Sequence, residues 1–520
     1  MTVLNLISLF GIFGLCAIAW LCSENRQLRY FPWRVVIAGL LLQLALGVLV
    51  FIVPGTRELL QFLSSLLNVL FEAADAGARF VFGGLVPLPG EEPLLLAPLA
   101  QGEVCSSSTV GEIVPGFCGV RQGYIFAVRA MPAVIFFSAL VSLLYSLGIL
   151  QIITNLFARI FYRAMRLSGA EALSGAANIF VGIEAAIVVR PFLARMTRSE
   201  LCAILACCFG TTASTVLAIY ALVLRPVFPN ILGHLVSASI MAIPACFVLA
   251  KILVPETQTP LTANQLPDRA FAAELDATLA EPEERLSPMD AVISGATDGL
   301  RMAASIVAVL IAVLGLVFLV NQFFVALANL ADSSNALLQA VGRFFQYVSL
   351  QNILGALFLP LTVLTGVSLN WNELWESSVL IGQRLFQTEI PSFQQLAAAT
   401  ALPPETRVLS DRALLIVSYA LSGFAHLASL GIFVGGIAAL APNRRKEIAS
   451  LGWKALFAGT LATYMIACVA GLFDTGNPGI LGQAEPPAIT APASPASPPA
   501  SPAASPAASP ATPAPASPSP

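Results

Sequence analysis

Apolar runs separated by short basic or Gly/Pro-rich breaks set the pattern of this chain. Val3 to Cys22 and Val35 to Val53 each come close to the ~20 residues that a helix needs to cross a bilayer. Arg26, Arg29 and Arg34 lie between them, which predicts a cytoplasmic loop and an extracytoplasmic N-terminus. Arg57 to Phe82 sets leucines and phenylalanines at helical spacing against Arg57, Glu58, Glu72 and Asp75, the pattern of an interfacial helix. Tyr124 to Phe157 is the next span, with Arg159, Arg163 and Arg166 marking the inside again. Leu201–Leu222, Ile231–Val254, Ala291–Leu327, Leu414–Leu440 and Leu456–Phe473 follow, with Ala328–Phe345 as a second surface helix. The pattern predicts an all-α polytopic membrane protein with about eight transmembrane helices and interfacial helices beside them.

Two stretches break that rhythm. Asn178 to Tyr220 starts apolar, carries Glu184 beside Gly182, turns at Pro191 and re-enters an apolar run studded with Thr211, Thr212, Ser214 and Thr215. The part before Pro191 is too short to span, and a short interrupted segment of this kind predicts a re-entrant hairpin over 170–195. A second such stretch, 351–395, holds a polar break (Asn370, Asn372, Glu373, Glu376) and Glu389. Both halves run span, interrupted hairpin with one Glu, broken helix, span. This predicts an inverted repeat with the site between the two hairpins. The domain plan is then N-terminal scaffold helices over 1–157 with an extracytoplasmic loop at 83–122, and a first repeat core over 158–254. An acidic cytoplasmic linker covers 255–290, and a second repeat over 291–473 includes a broken helix at 414–440. Residues 483–520 are almost wholly Pro, Ala and Ser, a composition that cannot form a core and predicts a disordered extracytoplasmic tail.

Composition agrees. The chain is 57% hydrophobic and 11% charged, against about 25% charged in soluble domains. The net charge of −3 carries little information, because the placement of charge decides topology. Nothing interleaves basic and aromatic residues as a nucleic-acid surface would. Seven of the nine Cys lie in or beside apolar runs and read as small core residues. Cys105 and Cys118 share one polar loop; they pair if it faces an oxidising compartment and are otherwise two free thiols. No CxxC pair or His cluster suggests a structural metal site. Met1 to Cys22 lacks a basic leader, so it reads as a first transmembrane helix in the inner membrane, not a cleaved signal.

Candidate chemistry is sparse. A carboxylate in an apolar segment costs several kcal/mol unless paired or facing a cavity, which singles out Glu184 and Glu389. Gln383, Arg384 and Gln387 make the surroundings of Glu389 look wetter. Asn178 and the Thr211/Thr212 break offer hard oxygens suited to Na⁺, the alternative being a helix kinked by Thr back-bonding. His426 sits in the locally polar GFAHLAS and could wall a cavity and titrate near neutral pH, although a lone His in an apolar run is more often a satisfied core residue. His234 reads as structural. No nucleophile motif, phosphate loop or metal triad accompanies these groups, so the chain does not read as an enzyme.

Several long motifs then coincide in order: FAVRAMPAVIFFSALVSLLYSLGILQ, the Asn178–Tyr220 stretch, and LSDRALLIVSYALSGFAHLASLGIFVGGIAALAPNRRKE. Together they resemble the concentrative nucleoside transporters over most of Leu4 to Phe473. The resemblance implies secondary active nucleoside import coupled to Na⁺ or H⁺, in a membrane-embedded homotrimer, with no cofactor beyond the coupling ion. It implies a cation site from Asn178, the Val181 carbonyl, the Thr211 hydroxyl and the Thr212 carbonyl. Glu184 would face the base, Val216 and Phe424 would shape the pocket, and Glu389, His426 and Ser429 would contact ribose hydroxyls. The chain departs from the family pattern at Gly182-Ile183-Glu184-Ala185-Ala186, which lacks the usual Gln, Thr and Pro. It departs again at His426, where the family carries Asn, and around Glu389, where Thr388 and Ile390-Pro391 replace the usual neighbours. Alternatives that follow from these departures are a same-fold symporter of another small polar metabolite, or a non-transporting membrane receptor or assembly protein.

Overall fold

A computed structural model describes residues 2–53, 69–83, 94–98, 109–114, 117–121, 126–182, 185–263, 266, 287–402 and 406–482. The tail 483–520, the linker 267–286, Cys105, Ile183 and Glu184 lie outside the described residues. The helices are α1 (Val3–Leu21), α2 (Trp33–Phe51), α3 (69–82), α4 (Phe126–Ser146), α5 (Ile149–Met165), α6 (Gly169–Ala177), α7 (Ala185–Val188), α8 (Arg190–Leu193), α9 (Arg198–Gly210) and α10 (Ser214–Leu224). They continue with α11 (Ile231–Leu253), α12 (Pro288–Ala328), α13 (Ala336–Phe345), α14 (Leu350–Leu364), α15 (Trp371–Gln387), α16 (Glu389–Thr400), α17 (Asp411–Leu421), α18 (Leu427–Leu440) and α19 (Arg445–Phe473).

Among the described residues five helices are long and apolar enough to cross a membrane, and seven spans result when the sharply bent pairs α4/α5 (78°) and α13/α14 (60°) count as one each. The broken pairs α9/α10 and α17/α18 stand apart from that count, because neither half reaches the length of a span. Among the described residues, the departure from an all-helical chain falls in the loop read as 83–122. There Leu94–Pro98 (β1), Thr109–Val114 (β2) and Phe117–Arg121 (β3) form an antiparallel sheet in the order β1-β3-β2.

Helix starts follow local chemistry. Ser168 and Thr197 open α6 and α9 with capping boxes, their hydroxyls accepting from the N–H of Glu171 and Glu200 while each Glu reaches back to the cap N–H. These two acids are buried, so they need partners. Lys251 of α11 supplies one, with Nζ 2.6 Å from Glu171 and 3.1 Å from Glu256. Ser168 Oγ donates to Glu200 at 2.6 Å, and Thr197 Oγ1 donates to Glu256 at 2.9 Å. The first hairpin is thereby riveted to α9 and α11 at one end.

The most buried spans are α11 and α19, each with 89% of its apolar window inside the molecule, whereas α12 has 17%. α19 packs on α1, α9, α11 and α17 and forms the axis of the core; α12 packs along α4 at the periphery. The second hairpin stretch consists of three helices. α14 and α15 meet at a turn through Gly366 (φ +64°), and α15 and α16 meet at Thr388.

Candidate substrate and cation site

Glu389 is the first residue of α16 and is 2% exposed. A helix N-terminus favours a negative charge, yet burial requires hydrogen bonds as well. One carboxylate oxygen receives a hydrogen bond, and the other has a close neighbour but no hydrogen-bond partner among the described residues. Tyr220 of α10 donates its hydroxyl to Oε1, and His426 Nε2 stands 3.0 Å from Oε2. His426 is itself the N-cap of α18, and its Nδ1 accepts the Ser429 N–H at 3.2 Å. That bond assigns the ring proton to Nε2, the nitrogen nearer Glu389. Ser429 Oγ lies 2.8 Å from the same Nε2. Residues from α10, α16 and α18 thus form one polar chain across both repeats.

The two broken helices cross where this chain lies. α9 ends at Thr211 in extended conformation (φ −114°, ψ 168°), and α17 ends at Ser422. Phe424 N–H donates to the Thr211 carbonyl at 3.4 Å. A Cβ added at Gly423 would stand 3.0 Å from the Gly210 carbonyl and 2.6 Å from Thr463 Cγ2, so only glycine permits this approach. Phe424 lies edge-on to His426 with ring centroids 6.2 Å apart. Val216 is buried one turn before Tyr220 on α10.

On the other side of the first break, Asn178 closes α6, which packs against α9. Its amide nitrogen donates to Ser174 O at 3.1 Å, and its Oδ1 is buried with no hydrogen-bond partner among the described residues. Thr212 Oγ1 is in the same condition. The Thr211 hydroxyl donates to Cys207 O at 2.8 Å, the back-bond of a kinked helix, and this leaves its oxygen lone pairs free to accept or coordinate. Val181, half-buried, follows the end of α6. An amide oxygen, two hydroxyls and the carbonyls of an interrupted helix are hard neutral donors, which fit Na⁺. Around Glu389 the buried side-chain oxygens of Gln387, Thr388 and Ser392, like Glu389 Oε2 itself, have no hydrogen-bond partner among the described residues. Unpaired buried polar atoms are few in native proteins and cost about 1–3 kcal/mol each.

Two readings of the sequence change here. Gln383, Arg384 and Gln387 do not wet the surroundings of Glu389, because all three are buried. Arg384, 1% exposed, donates through its guanidinium to the Ala420 carbonyl and, at 3.2 Å, to Thr463 Oγ1. Tyr220 was missed, although its spacing of four from Val216 puts both on one face of α10. His234 is structural as expected, with its two nitrogens 2.9 Å from the Tyr419 hydroxyl and 2.9 Å from Ile480 O.

Three family descriptions match the chain: Na⁺ dependent nucleoside transporter C-terminus over residues 234–471, the corresponding N-terminus over 10–85, and nucleoside recognition (Gate) over 127–227. An uncharacterized transporter of Haemophilus influenzae is 34% identical over 90% of this chain and 97% of its own length. The nucleoside permease NupC of Helicobacter pylori is 32% identical over 90% and 98%. Among solved structures, the inward-facing substrate-bound state of CNTnw is similar with a TM-score of 0.73 and 33% identity, covering 92% of this chain and 99% of that one. With a buried carboxylate set between a hairpin and two crossed, broken helices, and with relatives matched nearly end to end, the chain belongs to the concentrative nucleoside transporter family.

Proposed function

We propose that this protein imports nucleosides by secondary active symport with Na⁺ or H⁺, as a multi-pass homotrimer of the inner membrane with both termini extracytoplasmic. The observation that carries the reading is Glu389, a buried carboxylate that takes the Tyr220 hydroxyl on one oxygen and stands against His426 with the other, beside further unpaired oxygens. A carboxylate accepts from sugar hydroxyls, and the imidazole and hydroxyl beside it donate to and accept from a neighbouring one. In this reading Glu389, His426 and Ser429 hold the ribose. Val216 and Phe424 line the apolar wall, and Glu184 faces the base. Asn178, Val181, Thr211 and Thr212 hold the cation. The apolar, largely uncovered α12 supports a partner copy or lipid along that face.

A second reading, symport of another small polar metabolite, is favoured by Gly182–Ala186, which lacks the Gln and Thr expected to read a base. Uptake of labelled uridine and adenosine into vesicles under imposed Na⁺ or H⁺ gradients tests both. The expected result is gradient-dependent accumulation of at least one nucleoside, reduced by about tenfold or more in Glu389→Gln, as the loss of a charge-assisted hydrogen bond predicts. Folded wild-type protein that accumulates neither nucleoside under either gradient overturns the first reading and sends the experiment to a panel of other polar metabolites. Native mass spectrometry reads the trimer directly.

A further inference from the structure

Tyr220 is fully buried on α10, in the first repeat, yet its hydroxyl serves a carboxylate of the second. Its ring stacks on Phe393 with centroids 4.6 Å apart and planes 23° from parallel. Phe393 lies four residues after Glu389, one turn along the same face of α16. The stack therefore sets the tyrosine along α16, and the hydroxyl at its end reaches Glu389 Oε1. The other oxygen, Oε2, faces His426 Nε2, whose ring is oriented by the Ser429 N–H. The two carboxylate oxygens are thus not equivalent. Oε1 is held by a stiff aromatic clamp, and Oε2 faces a side chain at the start of a helix beside the crossed breaks.

The geometry points to Tyr220 as a positioning and specificity residue: it commits Oε1 of Glu389, so that Oε2 alone takes a substrate hydroxyl, and it thereby sets how strongly the transporter discriminates between a ribosyl solute and its deoxy analogue. This rests on the reading that Glu389 receives a sugar hydroxyl. A carboxylate fixed in one rotamer is left short of a hydrogen bond when the matching hydroxyl is missing, and that shortfall is what produces discrimination. A carboxylate freed at Oε1 can rotate, accept from water or from a second hydroxyl, and lose that selectivity. Tyr220 does not touch the solute; it acts through Glu389.

The test is uptake kinetics for uridine, 2′-deoxyuridine and 3′-deoxyuridine in wild type, Tyr220→Phe, Glu389→Gln and the double variant. Tyr220→Phe keeps the ring on Phe393 and removes only the hydroxyl. Its expected effect is a KM for uridine raised about tenfold with maximal rate changed less than about twofold, and a much smaller rise for the analogue lacking the hydroxyl that Glu389 reads. That analogue is identified independently as the one whose KM is insensitive to Glu389→Gln. In the Glu389→Gln background the Tyr220 change should add no further loss. Equal KM effects on all three solutes, or an undiminished effect in the Glu389→Gln background, overturn the proposal. Should Tyr220→Phe fail to fold, Phe393→Leu removes the support of the ring and keeps the hydroxyl. It must narrow the uridine to deoxyuridine ratio in the same direction, and an unchanged ratio overturns the proposal as well. Absence of nucleoside uptake in the wild type would instead defeat the underlying functional reading, so the two failures are distinguishable.

Discussion

Thr388 stands at φ +69° and ψ 176°, a region left almost entirely to glycine, in the residue before Glu389. For a β-branched side chain that geometry costs about 1–3 kcal/mol. Thr388→Gly relieves the strain but adds about 0.5–1 kcal/mol of backbone entropy to the unfolded chain. The expected outcome is a melting temperature in detergent equal to or above wild type, together with weaker nucleoside affinity, because the turn that aims Glu389 is loosened. A marked loss of stability would show that the turn is not strained. At the first break, Thr211→Val should remove Na⁺ stimulation of uptake if its oxygen coordinates the ion, whereas Thr211→Ser should retain it. Initial rates across a Na⁺ series decide this. Single residues were unevenly legible in the sequence. Glu389 was legible because a carboxylate in an apolar run is costly wherever it goes. Tyr220 was not, because a tyrosine at helical spacing has the appearance of core. Arg384 was misread because a long cation suggests water, and only the fold shows the Ala420 carbonyl and Thr463 hydroxyl that receive it.

Between elements, the first hairpin is held by charge buried among α6, α9 and α11. Lys251→Met should leave Glu171 without its ammonium partner inside the protein, a change that costs about 3–5 kcal/mol for buried pairs. Thermal unfolding in detergent should show a large drop, and adding Glu171→Gln should restore part of it, because the uncompensated charge is then removed. An equal drop in the double variant would show that Lys251 acts by packing alone. Ser168-x-x-Glu171 and Thr197-x-x-Glu200 carry capping-box spacing in the sequence itself. The partner of Glu171 could not be read there, since Lys251 meets it only after α11 has folded back. The broken helices were legible for a related reason: Gly210-Thr211-Thr212 and Ser422-Gly423 weaken a helix locally, whatever packs around them. The small sheet β1–β3 was hidden because its strands are short and lie among Gly and Pro, a composition that signals loop.

At the scale of the molecule, one acid ties together three distant parts of the chain. Glu24, in the loop after α1, receives Arg198 from α9 at 2.7 Å and also Lys454 from α19, while its own N–H donates to Leu253 O at 2.9 Å. The Arg198 hydrogen bond, and after it Lys454, hold the Glu24 carboxyl below its ordinary range despite partial burial. The folded protein therefore releases this proton more readily than the unfolded chain. The stabilisation is complete above the unfolded value of about 4.3 and is lost as pH falls through the lower folded value. Because the pair is substantially exposed, its worth is at most about 1 kcal/mol and salt screens it. Glu24→Gln should flatten the acid limb of a melting-temperature profile taken from about pH 7 to about pH 3, and high salt should shrink the difference between variant and wild type. A clamp of this strength is suited to a transporter. It orders α1, α9 and α19 on the side where the sequence puts Arg26, Arg29 and Arg34, yet it costs little to open. Glu389 differs, because it is buried and its one side-chain hydrogen bond among the described residues, from Tyr220, is made away from water. Unchanged nucleoside KM in Glu24→Gln, set beside the loss in Glu389→Gln, would separate the two carboxylates by function. A Glu24→Gln variant with altered KM would instead join the clamp to the binding site.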